Sequence, residues 1–208
     1  MGLSTFIDIT SFTLISLFIA RLGPETIAGH RVVSNLTGLI YMLPLSLSIA
    51  TLVLVGQAAG AQDWLRARNT VRVGLGLTAL FALLIGVLLW LLRVPLIGFS
   101  TTDPGVQAVA LGLVPYLCLY QGFDGLQTVA AYALRGYKVT LLPMLVHTLC
   151  FWGLGLGGGY WLSFEASAGS PSVSGFWQAI LLASLLAWTL FSLLLRQIAR
   201  DRTRAPAR

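Results

Sequence analysis

The stretch Val114–Tyr137, VPYLCLYQGFDGLQTVAAYALRGY, decides how the rest of the chain is read. Its length and apolar content suit a membrane-spanning helix, yet it carries a carboxylate, Asp124, near its middle. At about 3.6 residues per turn, Tyr120, Asp124 and Gln127 fall on one stripe, flanked by Gln121 and Thr128. The opposite side is mostly Leu, Val and Ala. A carboxylate at the bilayer centre costs roughly 2.5–3.5 kcal/mol on insertion scales. Such a group normally faces a bundle interior or a wet cavity and marks an ion or substrate path. Its plainer role is a hydrogen bond that ties two helices together.

Composition points the same way. Of 208 residues, 57% are hydrophobic and only 10% charged, and mean hydropathy is +0.85. Soluble domains carry about 25% charged residues, so the chain reads as an all-α integral membrane protein that lies in a lipid bilayer. With about 20 residues per crossing, its length suits around six spans and leaves no room for a water-soluble domain. The net charge of +6 resides in short connectors and the tail, which marks topology and argues against a nucleic-acid face. Cys118 and Cys150 lie in apolar runs, fit no metal-ligand spacing and read as small packing residues. No basic segment precedes the first apolar run, so no cleavable signal peptide is expected, and Phe6 breaks the myristoylation pattern.

The expected architecture is a six-transmembrane-helix bundle with spans at 3–22, 32–59, 73–92, 106–134, 139–164 and 176–195, then a basic tail at 196–208 with a disordered end. The first span ends at the turn Gly23-Pro24 and holds a second intramembrane acid, Asp8, with Ser4, Thr5 and Ser11 on the same side. Pro44 supplies a kink site in the second span. The sequon Asn35-Leu36-Thr37 falls inside that span, where it is a chance match. The stretch Gly60–Arg72 reads as a polar connector, and the third span, nearly all aliphatic, reads as lipid-facing or packing. Thr102-Asp103-Pro104 has N-cap and first-turn chemistry. The run Gly153–Gly159 offers close backbone approach rather than a phosphate cradle. His147 has no second ligand one turn away and reads as a hydrogen-bonder within the bundle. The connector Glu165–Gly175 reads as a mobile loop.

Lys and Arg number three in the second connector, two in the fourth and five in the tail, against Arg21, Arg31 and Arg93 on the other side. The positive-inside rule therefore places both termini in the cytoplasm. With an even number of spans, a tandem copy would insert in the same orientation, as parallel-repeat transporters require.

The stretches LSTFIDITSFTLISLFIARL (Leu3–Leu22), AGHRVVSNLTGLIYMLPLSLSIATLVLVGQAAG (Ala28–Gly60) and YQGFDGLQTVAAYALRGYK (Tyr120–Lys138) resemble the multidrug and toxic compound extrusion (MATE) family, specifically its C-terminal six-helix half. Thr102-Asp103-Pro104 is similar to the loop before that family's tenth helix. The resemblance implies helices seven to twelve of a twelve-helix, cation-coupled antiporter of the bacterial inner membrane. It implies an ion-coupling set of Asp124, Asp8 and Tyr120, beside which the polar stripe of the central span and the first span's polar side place Gln121, Gln127, Thr128 and Ser11 as supporting polar groups. Asp8 stands where the family more often has Glu. The coupling ion is H⁺ or Na⁺, with no cofactor and no catalytic residues. The implied partners are a drug-like small molecule and an N-terminal lobe, either a separate chain or a part missing from this one.

Two other readings compete. Buried acids on separate helices can form an intramembrane aspartyl hydrolase dyad, but Gln121-Gly-Phe-Asp-Gly125 lacks the Gly-x-Gly-Asp pattern of presenilin-like enzymes. The other is a truncated, non-transporting fragment or an assembly subunit.

Overall fold

A computed structural model describes residues 2–165 and 172–204, and the side chains among them except those of residues 2–9, 12, 203 and 204. Helix α1 (Gly2–Ile19) ends in a 3-10 turn at Ala20–Leu22, and Gly23 reverses the chain with φ 111°, a backbone that a side chain resists. Then come α2 (Pro24–Gly60), α3 (Trp64–Leu91), α4 (Arg93–Ser100), α5 (Pro104–Gly136), α6 (Leu141–Thr148) and α7 (Val173–Arg204). After α6 the helix widens into π-type turns over Leu149–Gly158 and Trp161–Glu165. Five of these segments are long and apolar enough to cross a membrane: Pro24–Gly60, Trp64–Leu91, Pro104–Gly136, Leu141–Glu165 and Val173–Arg202. At the position expected for a first span, the described residues give a shorter apolar helix, Thr13–Leu22.

Two expectations need correction. Most of Gly60–Arg72 is helix rather than connector: α3 starts at Trp64, and its N-cap Asp63 accepts a hydrogen bond from the Arg66 backbone N–H at 2.9 Å. Likewise α7 runs to Arg204, through most of the segment read as a tail. In both places charged residues lengthen a helix past its apolar portion, because helicity does not require hydrocarbon. Residues 205–208, and 166–171 of the supposed mobile loop, lie outside the described residues.

Helices α2 and α5 form the axis of the bundle. A methyl group on Gly29 would sit 2.7 Å from Val109, one on Gly125 3.2 Å from Pro44, and one on Gly136 2.9 Å from Val55. These contacts step along both helices in the same direction, so α2 and α5 run parallel, in van der Waals contact along their length. Small residues at such contacts let membrane helices approach closely where no hydrophobic effect drives them together. Helix α3 packs antiparallel against α5, with Thr78 beside Gly125 and Ala82 beside Gly122. The glycine run behaves unevenly. Gly159 meets Phe176 and Gly155 meets Ala183, but Gly153 and Gly158 have open space beside them.

The parallel pair brings the basic residues to one end. Arg66, Arg68 and Arg72 begin α3, while Arg135 and Lys138 close α5. Arg202 of α7 places its guanidinium 5.1 Å from the Trp64 ring. At this end burial pushes the Tyr137 phenol above its ordinary pKa, opposed by the charge of Arg68.

Candidate functional site

A cavity of about 510 Å³ opens between α2, α5, α6 and α7. Helix α5 supplies its polar wall. Tyr120, Asp124, Gln127 and Thr128 are all buried and all line it, as their shared helical stripe requires. The Gln127 side-chain amide donates to Asp124 Oδ1 at 2.8 Å, and the Thr128 hydroxyl donates to the Asp124 backbone carbonyl at 2.7 Å. Gln127 therefore fixes the carboxylate. Thr128 satisfies its own hydroxyl within the helix and leaves the carboxylate oxygens to other groups.

Gln121 does not join them. It turns a step around the helix and donates from Nε2 to the Ala82 carbonyl of α3 at 3.0 Å, tying α5 to α3. Ser11 is buried on α1 away from the cavity lining, and its hydroxyl has no partner among the described residues. The Asp8 side chain lies outside the described residues.

The facing walls hold groups that sequence reading left without a role. His30 of α2 is 2% exposed, and its Nε2 lies 3.4 Å from the Ser16 hydroxyl and 3.3 Å from that of Ser34. Its Nδ1 has no partner among the described residues. The Trp177 ring of α7 meets His30 edge-on at 5.9 Å and Tyr120 edge-on at 6.2 Å, with its indole N–H likewise unpartnered among them. His147 stacks on Phe151 at 4.4 Å and borders the cavity. One signal pointed this way: His30, Ser34, Thr37 and Tyr41 recur at helical spacing along α2, and the first three are its polar stripe.

The site is thus a carboxylate in a largely apolar chamber with aromatic walls. A carboxylate removed from water gains by binding a cation. Aromatic faces attract organic cations and also bury their apolar parts. Pockets of this size are typical of small-molecule sites. Among the described residues no three His, Cys, Asp or Glu side chains group as metal ligands.

Helices long and apolar enough to cross a membrane thus surround an acid-bearing cavity. Residues 1–161 match the MatE family. Over 202 residues, 96% of this chain, the sequence is 64% identical to a probable multidrug resistance protein NorM of Aromatoleum aromaticum, and the match spans 44% of that protein. Among solved structures, the Vibrio cholerae MATE transporter VcmN in the bent form superposes with a TM-score of 0.85 at 16% identity, covering 97% of this chain and 45% of the other. The MATE transporter ClbM in complex with Rb⁺ gives a TM-score of 0.86 at 19% identity, covering 97% and 47%. These two show the fold. The chain belongs to the MatE family, a family of transporters and not of enzymes, and it spans less than half the length of the curated relatives it matches. The hydrolase reading falls with that assignment.

Proposed function

We propose that this chain is the C-terminal lobe of a cation-coupled multidrug antiporter, arranged as a six-span bundle with both termini in the cytoplasm. The observation that carries this reading is the Asp124 carboxylate, held by Gln127 in an aromatic cavity large enough for a drug-like molecule. In this reading H⁺ or Na⁺ and an organic cation compete for the same oxygens. Cation binding from outside favours the conformation that releases drug outward, and cation release inward resets the cycle. Tyr120 contributes its hydroxyl and its ring, and Asp8 acts from α1 as a second acid. The Rb⁺ complex of ClbM supports a cation site within this fold.

Alternating access needs a cavity between two bundles, as in parallel-repeat transporters. The relatives' greater length supports a second lobe as the working partner. The test is export of a fluorescent cationic drug from liposomes holding this lobe assembled with an N-terminal lobe, under a proton or Na⁺ gradient. Asp124→Asn should abolish coupled export and Asp8→Asn should weaken it, both at normal insertion. Wild-type rates from Asp124→Asn would reduce the acid to a structural tie.

A further inference from the structure

A second cavity, of about 570 Å³, lies between α2 and α3 at the basic end of the bundle, apart from the Asp124 chamber. Its walls are Leu47 and Leu54 of α2 facing Val73 and Leu77 of α3. Its floor is a close approach of the two helices, where a methyl group on Gly74 would come within 2.5 Å of Thr51 Oγ1. That hydroxyl is already spent on the Leu47 carbonyl at 2.7 Å, so the floor offers no free donor. The groove is lined by apolar side chains along most of its length and is polar at one end.

That end is formed by Asp63, Arg66, Asn69 and Thr70. Asp63 has one oxygen engaged as the cap of α3. The Arg66 guanidinium is exposed, and no described carboxylate forms an ion pair with it. Arg72 adds a further exposed positive charge one helical turn past Arg68. An apolar slot opening beside an exposed, unpaired arginine matches a lipid in both halves of its chemistry.

We propose that this groove binds an anionic phospholipid. One acyl chain lies along Leu47, Leu54, Val73 and Leu77, and the phosphate is held by Arg66 with Asn69 as a second donor. The positively charged end of the bundle selects an anionic headgroup over a zwitterionic one, because each nearby arginine strengthens attraction to the charged leaflet. This site goes beyond the transport reading and depends only on the chain lying in a bilayer.

The test is native mass spectrometry of the purified 208-residue chain released from detergent micelles that carry dioleoyl phosphatidylglycerol or dioleoyl phosphatidylcholine. The wild type should retain phosphatidylglycerol about fivefold more tightly than phosphatidylcholine, the size expected of one surface arginine contact. Arg66→Gln should lose about that factor for phosphatidylglycerol alone. Ala50→Phe, on the lining of the groove, should fill the slot and weaken both lipids. Arg93→Gln, at the start of α4 just past the far end of α3, should change neither. Equal retention of the two lipids by the wild type overturns the assignment. So does phosphatidylglycerol binding that Arg66→Gln or Ala50→Phe leaves unchanged, or a loss that Arg93→Gln reproduces.

Discussion

Gln127 donates its amide to Asp124 Oδ1 at 2.8 Å while its own carbonyl oxygen, Oε1, is buried without a partner among the described residues. A buried acceptor left unmade costs about 1–3 kcal/mol, which the hydrogen bond to the charged Asp124 offsets. A cation seated beside the carboxylate would satisfy both oxygens at once. Gln127→Met keeps the volume and removes the amide. We expect it to weaken organic-cation binding by about tenfold, the loss of one polar contact to a charged group, and to lower the unfolding temperature because the buried Asp124 carboxylate loses its donor. Calorimetric titration of the variant checks this, and wild-type affinity would make the amide a packing element.

The α2–α5 contact sets how much room the cavity has. Gly136→Leu drives a side chain into Val55 and the Leu52 carbonyl, which lie within 3.1 Å of where its Cβ must go. Overpacking of this kind costs about 1–3 kcal/mol, read as a lower unfolding temperature in detergent. Gly76→Leu, with nothing within 4 Å, is the matched control and should be neutral. Equal losses at the two positions would remove the close approach from the account.

Tyr120→Phe deletes one hydroxyl and keeps the ring that meets Trp177 edge-on at 6.2 Å. Export by the assembled transporter should fall modestly, by less than about tenfold, and far less than in Asp124→Asn. A loss as complete as that of Asp124→Asn would show that the hydroxyl is indispensable rather than supporting.

Orientation can be tested at two described turns. In a variant with Cys118 and Cys150 replaced by Ala, a cysteine at Thr102 should react with an impermeant reagent added outside intact cells, and one at Gln62 should not. The reverse pattern would contradict the inward placement of the basic end.

The α5 stripe was legible in the sequence because polar side chains stand out inside an apolar helix at a spacing set by about 3.6 residues per turn. Gln121 shows the limit of that reading. It is adjacent in sequence to Tyr120, yet the turn of the helix carries it to α3. His30 could be found only through the polar spacing along α2, and Trp177 was harder still, because the face that α7 turns inward is set by contacts such as Gly159–Phe176 rather than by its own pattern. The start of α3 and the end of α7 lie beyond the spans read from the sequence for a different reason. Hydropathy reports the hydrocarbon slab, and both helices run past it.

The central claim is that Asp124 is the shared seat of the coupling cation and the organic cation. Equilibrium binding of tetraphenylphosphonium to the purified chain, followed by calorimetry at rising Na⁺ and at falling pH, tests it most directly. The wild type should lose affinity competitively as one of these two cations increases, and Asp124→Asn should lose both the binding and the competition. Tetraphenylphosphonium binding that is equally tight in Asp124→Asn, with the same dependence on Na⁺ and pH, would contradict the account.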